Sequence, residues 1–403
     1  MSIRSWASGF AAWGRRLAGD RGAIAWAVVV AVVYVGATVL LARLAPTKIN
    51  PAMQAAVALS HGRLNLDLPA GTNDTATFGG LTYQVISPLP IVPYLAFVPF
   101  PALWAASRWI TDCTFGVLAG WLCLPFARRY AGPGPRAYWL AVLGAFGTLM
   151  FDLAVQGDFY YLAQVQAMTL TLVALVEWRG RRRGLVVGAA FGLAALARPT
   201  VLLAAIPFGV ALILSSRGRR LRTAFRYLLP IGLAAGLSAS YDAARFRSPF
   251  ETGYGISALA NPVLANARAA GLFSVRHVAD NLALLVSQGF GFRDRFPYLV
   301  PDPYGQSILL TSPALLVSIG AGIRRQAAAV LWAAAGLVTI PLLLYYGGGG
   351  WQTYGFRYFL DAVPFLLALV GLAMRRHFGR LEQVLIVLSV VFVAYGLVWA
   401  VYQ

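Results

Sequence analysis

Charge is the first thing this sequence lacks. Only 12% of its 403 residues are charged and 59% are hydrophobic, whereas a soluble domain carries roughly 25% charged residues. A water-exposed surface cannot be built from half that supply. Acids are the scarcer sign, with 14 Asp and Glu against 33 Lys and Arg. Cysteine is nearly absent. Cys113 and Cys123 fall in one apolar segment, at a spacing that is neither a CxxC pair nor a zinc pattern, and read as small buried apolar side chains. The three histidines are scattered and form no HExxH motif. No internal repeat and no low-complexity linker divides the chain, so a single domain over 1–403 is expected.

What is present is a succession of apolar runs, each long enough for the roughly 17–25 residues that a membrane helix needs. Within a bilayer every backbone N–H and C=O must be paired inside its own segment or in a closed barrel. The runs are continuous rather than alternating, which favours an all-α integral membrane protein. The net charge of +19 invites a nucleic-acid partner, but the basic residues are distributed otherwise. Arg15/Arg16/Arg21, Arg128/Arg129/Arg136, Arg179/Arg181/Arg182/Arg183, Arg217/Arg219/Arg220/Arg222/Arg226, Arg324/Arg325 and Arg375/Arg376/Arg380, with Arg4, recur at intervals that suit helical hairpins. Short loops rich in Lys and Arg stay in the cytoplasm, and such clusters suit anionic membrane lipids. The polar lead before the first apolar run precedes a stretch too long for a signal-peptide core, so it reads as an uncleaved first helix.

These arginines orient the chain with its N-terminus in the cytoplasm and predict about eleven membrane helices. The first covers 23–45. A first outer region, 46–107, carries interfacial helices, one of them at 51–60 with Pro51 in its first turn and His61–Gly62 closing it. The stretch 88–106 holds Pro88, Pro90, Pro93, Pro99 and Pro101, which argues against a straight span. Further helices follow at 108–127, 136–155 and 160–178. A hairpin over 184–214 is broken at Arg198–Pro199, and another helix covers 226–244. A second large outer loop spans 245–310, and helices at 311–323, 327–346, 358–374 and 382–401 complete the map.

Most acids fall on the outer side of this map, and three outer segments are unusually specific. The first, 48–88, holds Asn50, His61, Arg63, Asp67, Asp74 and Tyr83. The second, YDAARFRSPFETGYG at 241–255, contains Arg245, Glu251 and Tyr254. Its arginines suit phosphate oxygens, and its aromatic faces suit a sugar ring. The third is GGGGWQTYGFRYFLDA from 347, with Trp351, Arg357 and Tyr358 after a glycine run that an interfacial aromatic belt does not explain. Arg198 sits deep in LAALARPTVLL, where a charge is costly and pairs with a functional anion.

In the order first helix, HGRLNLD, PLPIVPYLAF, GLAALARPT, YDAARFRSPFETGY and GGWQTYGFRYFLDAVPFLLAL, the chain resembles the GT-C superfamily of membrane glycosyltransferases, especially bacterial lipid-linked-sugar transferases. The resemblance covers most of the chain. It implies a multi-pass protein of a bacterial plasma membrane that uses a polyprenyl-phosphate-linked sugar donor on the extracytoplasmic face, with a cell-envelope glycan, lipid or protein as acceptor. It also implies a catalytic Asp or Glu just after the first helix. There the chain reads Thr47-Lys48-Ile49-Asn50, and an Asn cannot take a proton. Asp67 and Asp74 are the nearest outer-loop acids. The expected base is Asp67, with Asp158 of QGDFYY second. Arg198, Arg245 and Arg357 are expected at the donor phosphate, and Tyr254, Trp351 and Tyr358 at the sugar, with Asn50, His61 and Glu251 as further binding residues. No cofactor is expected, although two outer carboxylates can hold one divalent ion. If this holds, Asp67, Arg198 and Arg357 converge on one outer cavity. The alternative is a lipid- or glycolipid-binding or transport protein of the same fold without catalysis.

Overall fold

The computed structural model describes residues 20–44, 50–351 and 353–402; Arg4, Arg15, Arg16 and the Thr47-Lys48-Ile49 stretch lie outside them. The chain is mostly helical. In order come α1 (Arg21–Leu44), α2 (Pro51–Ser60), a hairpin of β1 (Thr75–Phe78) and β2 (Leu81–Gln84), α3 (Trp104–Tyr130), α4 (Pro135–Phe146), α5 (Leu149–Val155), α6 (Phe159–Arg179), α7 (Gly184–Ala197), α8 (Leu202–Ser215) and α9 (Arg220–Phe246). Then follow α10 (Pro262–Ala269), α11 (Val278–Val286), a short ladder of β3 (Gly291–Phe292) and β4 (Leu299–Val300), α12 (Ile308–Thr311), α13 (Gln326–Leu344), α14 (Val363–Met374) and α15 (Arg380–Tyr402).

Five helices among the described residues are long and apolar enough to cross a membrane: α1, Pro101–Tyr130, α6, α13 and α15; a sixth span results if α4 and α5, bent by 47°, count as one. Of the eleven expected spans, five or six are supported by length and composition, and the rest fall on shorter or less apolar helices. The proline-rich stretch forms 3-10 turns at Leu89–Phe97 and Pro101–Leu103, as its prolines require, and residues 313–321 also wind as a 3-10 helix. The shorter apolar helices α7 and α14 have 14 and 12 residues, about 21 and 18 Å at 1.5 Å per residue, against a hydrocarbon core of about 30 Å. The break at Arg198–Pro199 is a 3-10 turn, Pro199–Val201, between α7 and α8.

Close helix approach comes from small residues. Gly184, Gly188 and Gly192 lie four apart on α7 and face α9. A Cβ at Gly188 would fall 2.1 Å from the Tyr227 carbonyl oxygen, and one at Gly192 would fall 2.9 Å from that of Pro230. Such small-xxx-small ladders let helix backbones meet where no hydrophobic force joins helices in lipid. On α3, Gly116 and Gly120 similarly receive Tyr34 and Val30 of α1.

The bundle has two chemically distinct ends. Arg128 pairs with Asp20, Arg375 donates to the Arg129 carbonyl (2.7 Å), Arg136 donates to the Arg375 carbonyl (3.3 Å), and Arg183 pairs with Glu177 (2.8 Å). These gather Arg128, Arg129, Arg136, Arg183 and Arg375 at the Arg179 end of α6. The opposite end of that helix is capped by Asp158, 21 residues or about 30 Å away.

The glycine ladder gives a paired prediction. Gly188→Ala should lower stability by about 1–3 kcal/mol through overpacking. Gly236→Ala on α9, with nothing within 4 Å of its Cβ, should leave it unchanged or raise it by up to about 1 kcal/mol. Thermal unfolding in detergent reads both.

Candidate functional site

A cavity of about 370 Å³ opens at the Asp158 end of α6 and is walled by segments far apart in sequence. Of the residues expected from sequence, it brings together Asp158, Arg198, Tyr254, Trp351, Arg357 and Tyr358, and it adds Asp74, Tyr160, Tyr161, Tyr345 and Tyr346.

Arg198 enters at the helix break. Its guanidinium makes an ion pair of 3.1 Å with Asp361, whose side chain is wholly buried, and Thr200 donates to the same carboxylate at 2.6 Å. Arg198 is thus already neutralised, with its face 5.0 Å from the Tyr358 ring centroid. Arg357 differs. It lies over the rings of Tyr161 and Tyr358 at 5.1 and 5.0 Å and donates to the Tyr358 hydroxyl at 3.3 Å. Its buried Nε has no hydrogen-bond partner, and it forms no ion pair with a carboxylate, among the described residues. A largely buried guanidinium with unspent donors at a cavity wall is built to receive an anion.

The glycine run makes room for it. At Gly350, φ is +113°, and a Cβ would lie 2.2 Å from Arg357 Nε; at Gly347 a Cβ would lie 2.5 Å from the Tyr345 ring. The strand of backbone passes between a tyrosine and the guanidinium, and only glycine fits both sides.

Asp74 is held by a different device. The β1–β2 hairpin turns on Gly79–Gly80, both at positive φ, with Phe78 opposite Leu81, the Gly-Gly two-residue turn that matches strand twist. Its leading edge is stitched to the loop after α9: Asp74 N–H donates to the Ala258 carbonyl (2.9 Å), Ala258 N–H donates to that of Thr75 (2.8 Å), and Ala260 N–H donates to Asn73 Oδ1 (2.8 Å). Asn73 Nδ2 and the Tyr160 hydroxyl bond the Asp74 carboxylate. Burial pushes this carboxyl above the usual carboxylate range, while the Tyr160 hydrogen bond and the Arg357 charge hold it down only in part. Asp158 is committed to capping α6, accepting from Tyr160 N–H at 3.0 Å.

The remaining expected residues lie elsewhere. Asp67 and Asn50 line a separate cavity of about 380 Å³ beside Trp104. Asp67 is exposed and held in a two-pronged pair by Arg63 at 2.9 and 3.0 Å, which keeps its carboxyl below the usual range. The expected convergence of Asp67 with Arg198 and Arg357 is therefore corrected: Arg198 and Arg357 meet, and the carboxylate beside them from the first loop is Asp74. Asn50 is an N-cap, accepting from Met53 N–H (3.1 Å) and donating to Ser107 (3.2 Å). His61 closes the same helix through Val57 O (2.8 Å) and lines neither cavity. Arg245 is buried against Asp242 (2.5 Å) and the Gln84 carbonyl (2.7 Å), tying α9 to β2. Glu251 accepts from Gly253 N–H at 2.7 Å within its own loop. Among the described residues no three or more His, Cys, Asp or Glu gather as a metal site.

The alternation TATF-GG-LTYQ was the available signal for Asp74: it marks a hairpin whose base holds that acid. Comparison with models of protein families, with curated proteins and with solved structures gave no match to this chain.

Gly350→Ala should displace Arg357 and weaken binding of a phosphate-bearing amphiphile about tenfold or more, since a charge-assisted hydrogen bond is worth about 1.5–3 kcal/mol. Titration calorimetry in nanodiscs measures this, and unchanged affinity would contradict the role given to Arg357.

Proposed function

We propose that this chain is a membrane glycosyltransferase, similar in architecture to the GT-C superfamily, which takes a sugar from a polyprenyl-phosphate donor and passes it to a cell-envelope glycan, lipid or protein. The observation that carries this reading is the pairing of Arg357, without a carboxylate partner among the described residues, with Asp74 across a cavity walled by tyrosines. Phosphate needs a cationic donor fork, a sugar ring needs aromatic faces, and an attacking hydroxyl needs a base.

The arginine-rich end is taken to face the cytoplasm, which puts the cavity on the extracytoplasmic side of a bacterial plasma membrane. The donor phosphate lies against Arg357, with Arg198 beside it. Tyr254, Tyr358 and Trp351 cover the sugar. Asp74 accepts the proton of the acceptor hydroxyl as its oxygen bonds to the anomeric carbon. The bond from that carbon to the phosphate oxygen breaks, and the phosphate leaves with the electron pair toward Arg357. An upward-shifted carboxyl is the stronger base of the two loop acids; Asp67, acidified by Arg63, is the weaker.

Purified chain in nanodiscs, given radiolabelled polyprenyl-phosphate sugars and a membrane extract, tests the reading. Asp74→Asn should lower transfer about 10²–10⁴-fold, the usual worth of a general base, while Asp67→Asn should stay near wild type. Asp74 works only when ionised, so the wild-type rate should fall as pH drops through its raised pKa, and Asp74→Asn should lose that acid limb. The capping role of Asn50 where an acid is expected favours a second reading, a carrier that binds the lipid without turnover. Saturable polyprenyl-phosphate binding with no transfer from any donor would select it.

A further inference from the structure

Next to the main cavity is another of about 330 Å³, formed by α10, α11 and the loop carrying Asp302 and Tyr304. The two share Leu264 and Tyr346 as a common wall. They also meet at a ring pair: Tyr304 belongs to one and Trp351 to the other, with centroids 4.9 Å apart.

The neighbouring cavity has the opposite chemistry. Among the described residues no arginine or lysine lines it. Asp280 and Asp302 both face it, and neither forms an ion pair among the described residues. Asp302 is fixed in place by Tyr304 N–H (2.8 Å) and Gln288 Nε2 (3.2 Å). Asn281 is only 3% exposed. Its amide hydrogens go to the carbonyls of Leu343 and Tyr345 at 2.8 and 2.7 Å, with that of Leu342 at 3.4 Å, and its Oδ1 accepts no hydrogen bond among the described residues. His277 is bonded through Nε2 to the Gly271 carbonyl at 3.0 Å. A carbonyl can only accept, so Nε2 donates to it. The lining thus offers hydrogen-bond acceptors in Asp280, Asp302 and the Oδ1 of Asn281, whose amide hydrogens are spent on backbone carbonyls.

Such a lining repels phosphate and suits a group that brings many donors of its own. We propose that this cavity is the subsite for the incoming acceptor sugar, whose hydroxyls bond Asp280, Asp302 and Asn281 while its apolar face lies on Tyr304. The assignment rests on the glycosyltransferase reading. The anionic lining sorts the two substrates by charge, since the donor phosphate is drawn to Arg357 and excluded from the carboxylates. The shared Tyr346–Leu264 wall keeps the acceptor sugar within reach of the main cavity.

Binding of methyl hexosides and methyl pentosides to the full chain in nanodiscs, followed by saturation-transfer NMR, tests this without turnover. At least one glycoside should bind. Asp280→Asn/Asp302→Asn should weaken it about tenfold or more, and the exposed single change Asp280→Asn should weaken it in the same direction with an unchanged thermal midpoint. Polyprenyl-phosphate binding should not move in either variant. Failure of every glycoside to bind, or equal binding by wild type and double variant, overturns the subsite. Glycoside binding that the double variant loses, in a protein that never transfers sugar, supports the subsite and removes the transferase. Transfer by wild type with glycoside affinity unmoved by the double variant removes the subsite alone.

Discussion

Arg198 and Asp361 are 163 positions apart in sequence and 3.1 Å apart in space. The carboxylate is wholly buried and takes a second bond from Thr200. Burying two charges is costly unless geometry and further hydrogen bonds compensate, and removing one partner typically costs about 3–5 kcal/mol. This pair fastens the broken α7–α8 hairpin to the 3-10 turn that begins at Arg357. Once that turn is fixed, the glycine run must pass beside the Arg357 guanidinium, and the cavity acquires its cationic wall. The pair therefore decides where Arg357 stands.

The division of labour between the two arginines follows from this. Either could be offered to a phosphate on composition alone. One is spent on a carboxylate and acts as a structural fastener with an aromatic neighbour. The other is placed over two tyrosine rings, with an unpartnered Nε among the described residues. The carboxylates divide similarly. Asp67 is neutralised by an adjacent exposed arginine, Asp158 serves a helix end, and Asp74 is half-buried at a hairpin base with a phenol and an amide on its oxygens.

Much of this was legible in the residues. The prolines of 88–101 foretold a stretch that is no straight span, Arg198–Pro199 foretold the break, and Pro51 with His61–Gly62 bounded α2. The structure also brings Arg198, Tyr254, Trp351, Arg357 and Tyr358 to one cavity. Five or six of the expected spans have the length and composition to cross, while others fall on apolar helices of 10–17 residues such as α7 and α14. Asp67 over Asp74 was undecidable by spacing, since the stitching of the hairpin to residues 257–260 sets which acid turns inward. The ladder of Gly184, Gly188 and Gly192 was visible but shows its meaning only against the backbone of α9.

The central claim is a phosphate-binding cavity at the end of the bundle opposite the arginine clusters. Ala260 is exposed and lines that cavity, and Cys113 and Cys123 are buried, so Ala260→Cys gives one reactive reporter. The account predicts that a membrane-impermeant maleimide added to intact cells stripped of their outer barrier labels this cysteine, and that polyprenyl phosphate protects it. Labelling only after the cytoplasmic face is exposed, or labelling that polyprenyl phosphate leaves unchanged, would contradict it.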